Sequence, residues 1–176
     1  VSHAILRHNQ GRTAGLADGV IVTPSHNPPR DGGLKYNPPH GGPAEPAITE
    51  TIERLANAAL PTALQDVPRV PYGRAVRTPQ AARYDYRTGF VAELPQVVDL
   101  AAIRAAGVRI GIDPLGGASA EYWPLVLETH GLQGAVVDQT VDPQFAFMTA
   151  DHDGEIRMDC SSPYAMARLV DLRDRF

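Results

Sequence analysis

Thr23-Pro24-Ser25-His26-Asn27-Pro28-Pro29-Arg30-Asp31-Gly32-Gly33-Leu34-Lys35-Tyr36-Asn37-Pro38-Pro39 is the stretch on which the reading of this chain turns. Before it runs Gly19-Val20-Ile21-Val22-Thr23, a β-branched run that reads as a buried strand ending where Pro24 withdraws a ladder donor. Ser25 is thereby placed at the mouth of a strand. Five prolines and two glycines in the stretch disfavour helix, and Gly32-Gly33 allow positive φ and close approach of backbone amides to an anion.

Lys35 is the single lysine, against fifteen arginines. Guanidinium stays protonated at any working pH, whereas a partly desolvated ammonium can release its proton and act as a base. A lone lysine ten residues after a candidate nucleophile therefore points to proton transfer, with an ordinary surface lysine as the alternative. If Leu34-Lys35-Tyr36 is a strand, alternation turns Lys35 away from its two neighbours, which are then free to pack.

With Gly41-Gly42-Pro43-Ala44 added, these motifs resemble the α-D-phosphohexomutases, and within them the bacterial glucose-specific branch. The resemblance implies that Ser25 carries a phosphoryl group, that Lys35 serves as general acid/base and that His26 lies beside the reacting oxygens. It also implies Mg2+, bound in part through the phosphoryl oxygen on Ser25, a glucose 1,6-bisphosphate intermediate, and a hexose phosphate as substrate. Phosphoryl transfer asks for these residue types, because positioning and neutralisation of charge carry most of the catalysis. The implied fold is α/β: three-layer α/β/α domains with mixed sheets, two partial domains joined by a helical linker. Residues 1–83 would be part of the first domain with the serine loop, and 84–176 part of the second.

Length and composition agree with a globular protein: 176 residues, 43% hydrophobic, 20% charged. A net charge of −4 with scattered arginines argues against nucleic acid as a partner. No apolar run is long enough for a membrane span and no leader pattern is present, so a cytoplasmic setting is expected. Cys160 has no cysteine to pair with, which suits a reducing compartment or a buried thiol.

Along the chain, residues 4–6 suggest a short helix, with His3 and His8 as exposed polar positions. Ile48, Ile52, Leu55 and Ala59 give 46–60 the spacing of an amphipathic helix with Glu50 and Glu53 on its solvated face. Residues 61–79 read as an irregular connection with one short strand near Val70. Helical spacing returns over 84–106, where Pro95 predicts a kink or two helices. Tyr84, Tyr86 and Phe90 read as packing residues. Gly107 then stops the helix, Val108-Arg109-Ile110-Gly111-Ile112 reads as a strand, and Asp113-Pro114-Leu115-Gly116-Gly117-Ala118-Ser119 as a tight turn with Ser119 as a cap. A helix to His130-Gly131 and a strand at Ala135-Val136-Val137 complete a βαβ unit. Phe145-Ala146-Phe147-Met148 reads as a further strand, and Asp151-His152-Asp153-Gly154-Glu155 as a turn rather than a calcium loop, since Ile156 and Ser162 occupy the positions that need Gly and Glu. A helix is expected over 164–176.

The family's Asp-x-Asp-x-Asp-Arg metal loop does not occur in the chain, which opens at Val1 and stops at Phe176 directly after that helix. The chain reads as an excerpt of a longer enzyme, inactive by itself. The alternatives are a non-catalytic phosphohexomutase-like binding module and a mutase for another hexose phosphate, mannose or glucosamine. A serine hydrolase is disfavoured because no Gly-x-Ser-x-Gly elbow surrounds Ser25.

Overall fold

A computed structural model of the chain describes residues 1–175. It divides into two units, Val1–Ile21 with Leu34–Tyr86, and Val22–Gly33 with Arg87 onward. No described helix is long and apolar enough to cross a membrane.

In the first unit, helix α1 (Ser2–Asn9) buries Ile5, and strands β1 (Gly19–Thr23) and β2 (Gly33–Asn37) form a two-stranded sheet. Two glycines let α1 come close. A side chain at Gly19 would meet Val1 at 2.8 Å, and one at Gly41, whose φ is +79°, would meet Leu6 at 2.9 Å. Two asparagines fasten the loops around α1. Asn9 donates to the carbonyls of Ala17 and Pro39 and accepts from the Ala17 amide; buried Asn37 donates to Gly41 O and Ser2 Oγ. Helix α2 (Pro46–Ala59) starts on a proline whose missing N–H costs nothing at that position.

Several expectations need correction here. β1 forms as read, but Val20 and Val22 are 66% and 81% exposed, so among the described residues it is not a buried strand. Leu34 on β2 is 73% exposed and does not pack. The apolar stripe of α2, Ile48, Ile52 and Leu55, also stands open. The strand expected near Val70 is absent: the segment turns and then forms one helical turn, α3 (Tyr72–Ala75), entered through Pro71.

The second unit holds the βαβ element. Helix α4 (Tyr86–Glu93) passes into a 3-10 turn (Leu94–Gln96) at Pro95 and then, capped by the Asp99 carboxylate on the Ala102 amide, into α5 (Leu100–Ala105), so the helical stretch is broken as expected. Gly107 takes φ +64° just past α5. Strand β3 (Ile110–Ile112) runs parallel to β4 (Gly134–Val136), Ile110 opposite Gly134 and Ile112 opposite Val136, with α6 (Tyr122–His130) as the crossover. Gly131 in the left-handed region ends α6. Arg104 on the α6 C-terminal carbonyl of His130, and the His130 ring on Val91 O at 2.8 Å, tie α4 and α5 to it. Phe90 meets Tyr122 edge-on.

A second cluster, Leu115, Met148 and Ala165 with Phe145, Phe147, Ile156 and Met158 around them, fills the space beyond the strand ends. Phe145–Met148 is therefore not a strand but a pair of turns. Asp142 causes this: its carboxylate takes the amides of Gln144 and Ala146, its carbonyl takes that of Phe145, and Phe145 itself has φ +52°. Ser119 is not the cap expected from sequence: the N-cap of α6 is Glu121, with no side-chain cap bond, and Ser119 only accepts the Tyr122 and Trp123 amides at its carbonyl. The last helix is shorter than expected, α7 (Ala167–Leu172) followed by a 3-10 turn (Arg173–Arg175); Phe176 lies outside the described residues.

Arg168 on α7 joins these parts. Its Nε and Nη2 donate to the two oxygens of Asp113, at the end of β3, at 3.0 and 2.9 Å, and its Nη1 donates to Asp138, past β4, at 2.7 Å. The Asp113 side chain has no exposed surface. Arg168→Met keeps much of the apolar stem but strands a buried carboxylate, so a stability loss of about 3 kcal/mol is expected in denaturant unfolding. A loss below roughly 1 kcal/mol, the scale of an exposed pair, would show that the network does not anchor α7.

Candidate functional site

The sequence puts a proline after β1, so the ladder stops at Thr23 and the chain turns. Ser25 occupies the turn with φ +61°, a left-handed conformation that a residue with a Cβ adopts at a cost of about 1 kcal/mol or more. Two hydrogen bonds hold it there: the Ser25 amide donates to Thr23 Oγ1 at 2.9 Å, and the Asn27 amide donates to Pro24 O at 3.1 Å. Ser25 is exposed, and its hydroxyl has no hydrogen-bond partner among the described residues. A 3-10 turn (Pro29–Asp31) follows, closed by the Asp31 amide on Pro28 O. Gly32 is extended, with φ −59° and ψ 150°. Positive φ thus falls on Ser25, while Gly32, at which the sequence allowed it, does not use that freedom.

The loop belongs to the second unit and is held there by residues 151–162. Arg30 Nη1 donates to Glu155 Oε1 at 2.6 Å. His26 Nε2 stands 4.0 Å from Asp159 Oδ2, too far for a hydrogen bond. The acid-rich segment is itself braced by Arg157, whose Nη1 lies 2.8 Å from Asp151 Oδ2 and whose Nη2 lies 2.6 Å from Asp153 Oδ2. The Asp151 amide donates to Glu155 O at 2.8 Å and the Gly154 amide to Asp151 O, so the expected turn is present. Arg157, and after it the His152 amide and ring, hold the Asp151 carboxyl far below its usual range; Arg157 also lowers Asp153. The amide and hydroxyl of Ser161 lower Asp159, leaving its second oxygen toward His26.

Of the three candidate residues, Ser25 and His26 share this loop, while Lys35 lies in the first unit, exposed on β2. Neighbouring Tyr36 donates its hydroxyl to Asp18 Oδ2 at 2.7 Å, and that bond raises the Tyr36 phenol above its ordinary value. Cys160 is exposed, which removes the buried-thiol reading. Sequence reasoning missed Arg30, Glu155, Arg157 and Asp159. The available signal was the charge density of Asp151-His152-Asp153-Gly154-Glu155-Ile156-Arg157 combined with an arginine inside a proline-rich loop.

An exposed serine hydroxyl on a strained turn, with no hydrogen-bond partner among the described residues, is chemically open to carrying a transferable group. Two family models match the chain: "Phosphoglucomutase/phosphomannomutase, alpha/beta/alpha domain I" over residues 1–62 and domain II of the same family over residues 88–172. The chain belongs to the phosphoglucomutase/phosphomannomutase family, the α-D-phosphohexomutases.

Among individual relatives, a phosphoglucomutase of Komagataeibacter xylinus is 54% identical over all 176 residues, which span 32% of that protein. A phosphoglucosamine mutase of Halorhodospira halophila is 32% identical over 146 residues, 82% of this chain and 29% of the relative. The chain thus spans about a third of the length of these relatives.

Two measurements probe this geometry. Ser25→Gly removes the Cβ from a left-handed position and is expected to stabilise the protein by up to about 1 kcal/mol while deleting the acceptor hydroxyl. A loss of stability in thermal unfolding would contradict the strain. Arg157→Gln tests the brace through pH. A carboxyl whose folded value is depressed contributes stability that is complete above its ordinary value, 3.8 for Asp151, and is lost as pH falls through the folded value. Without Arg157 the contribution of Asp151 is smaller at every pH above its folded value, so acid unfolding followed by circular dichroism should move to higher pH. An unmoved acid limb would show that Arg157 does not set the Asp151 titration.

Proposed function

We propose that the whole protein is a phosphoglucomutase, interconverting α-D-glucose 1-phosphate and glucose 6-phosphate, with Ser25 as the phosphoryl carrier. The observation that carries this reading is the exposed Ser25 hydroxyl on its left-handed turn; identity of 54% along the full chain to a protein named phosphoglucomutase supports it. The reaction balances as two transfers. The P–Oγ bond of phosphorylated Ser25 breaks as a bond to the sugar's 6-oxygen forms, giving glucose 1,6-bisphosphate. The 1-phosphoryl group of that intermediate then returns to Oγ, leaving glucose 6-phosphate. Lys35 takes the proton of the attacking sugar hydroxyl and returns it to the departing sugar oxygen. His26 donates to the phosphoryl oxygens.

In this reading the chain divides at 83/84 into part of the first family domain, with the serine loop, and part of the second, joined by a helical linker. The setting is cytoplasmic. Mg2+ would supply charge neutralisation at the phosphoryl group. The residues present do not make up its site: among the described residues no group of three or more His, Cys, Asp or Glu could hold a metal, and Arg157 occupies Asp151 and Asp153. What this chain offers the metal is a phosphoryl oxygen on Ser25. The likeness to a phosphoglucosamine mutase favours glucosamine phosphate as a second sugar to assay.

In the full-length protein, Ser25→Ala is expected to abolish glucose 6-phosphate formation, and Lys35→Arg to lower kcat at least ~100-fold despite the retained charge, because guanidinium does not exchange its proton. Normal turnover in either variant, read in a dehydrogenase-coupled assay, would remove that residue from the mechanism.

A further inference from the structure

The serine loop carries its strain at Ser25, yet the loop is exposed from Ser25 to Asn27, and from Arg30 through Gly33. Buried Pro28 is its apolar foothold. Two side-chain contacts reach it from residues 151–162: the ion pair of Arg30 Nη1 with Glu155 Oε1 at 2.6 Å, and the longer approach of His26 to Asp159 at 4.0 Å.

Glu155 is fixed at both ends of its peptide: its amide donates to Asp153 Oδ1 at 3.1 Å, and its carbonyl accepts from the Asp151 amide at 2.8 Å. Asp151 and Asp153 are in turn gripped by Arg157, of which only a fifth is exposed. The carboxylate that meets Arg30 therefore projects from a braced turn. On the other side, Arg30 sits in the 3-10 turn closed by Asp31 on Pro28, and prolines at 28 and 29 restrict the backbone between Arg30 and Ser25. A restraint at Arg30 is thus passed along a stiff segment to Ser25.

We propose that Glu155 is a positioning residue for Ser25, acting through Arg30 to hold the loop in the conformation that presents the Ser25 hydroxyl. The proposal rests on the phosphoryl-transfer reading above for its catalytic consequence, but its structural half stands apart. An exposed ion pair contributes little to global stability. Here the alternative to the observed state is relaxation of one strained residue, which is worth a comparable amount, so the pair decides the loop's population rather than the fold's. A loop found in its competent conformation less often lowers kcat by the same fraction.

The test uses the full-length protein as wild type, Glu155→Gln, Arg30→Gln and the charge-reversed double variant Arg30→Glu/Glu155→Arg. Two readouts are taken: kcat and KM for glucose 1-phosphate, and amide hydrogen exchange over residues 25–33. Each single variant is expected to lose about fivefold in kcat with KM within about twofold, and to exchange faster over 25–33 with β3 and α6 unchanged. The reversed pair should recover most of both, which a merely structural role for either residue would not produce. Unchanged loop exchange in the single variants, or a reversed pair no better than the singles, overturns the proposal. If loop exchange responds and recovers as expected while the wild type transfers no phosphoryl group, the tether stands and the reading of the activity falls.

Discussion

One guanidinium sets the register of the second unit. Arg168 meets carboxylates that follow two adjacent parallel strands, Asp113 after β3 and Asp138 after β4, and its plane lies 5.3 Å from the centre of the Phe147 ring. Phe147 in turn occupies the space that a side chain at Gly116 would need, at 2.5 Å from where its Cβ would stand. Strand ends, glycine turn, aromatic cluster and α7 are therefore specified together. Lysine could not replace this arginine, because a point charge supplies neither the two-pronged contact with Asp113 nor a flat face for Phe147. Left-handed Gly116 in the glycine turn leaves the room that Phe147 fills.

The serine loop is built on the opposite plan. It has buried Pro28, a left-handed residue at Ser25, and the Arg30–Glu155 ion pair at the surface. Strain of this kind persists only where surrounding bonds over-determine it. At Ser25 those bonds are its amide on Thr23 Oγ1, the Asn27 turn and the hold on Arg30.

Much of this was legible because it is written in local chemistry. Pro24 ends a β-branched run, Pro95 divides a helical one, Gly107 and Gly131 sit at left-handed helix ends, and β3, α6 and β4 follow from periodicity alone. The errors share a cause. Burial depends on what covers a surface, so β1, read as a buried strand, stands partly open, and the amphipathic helix read at α2 forms with its apolar stripe exposed. Phe145–Met148 looked like a strand because its aromatics alternate, and Asp142 overrode that pattern with side-chain bonds to the backbone. At the site, residue types pointed to Ser25, His26 and Lys35, but Arg30–Glu155 joins residues 125 apart, and no local rule reports such a pair.

The contrast between the two charged clusters has a functional logic. A buried network such as Asp113–Arg168 resists change, since breaking it leaves an uncompensated charge out of water. In the phosphoryl-transfer reading proposed above, Ser25 alternates between a neutral hydroxyl and a group of charge about −2, and its loop faces a different requirement. The new charge must be accommodated without unfolding anything, and the partners of the neutral state must yield easily to it. Exposed pairs meet this requirement because water compensates each partner when the pair opens. In the same reading, His26, 4.0 Å from Asp159 and not bonded to it, would turn from the carboxylate to a phosphoryl oxygen at small cost, while Arg30 keeps the loop in place.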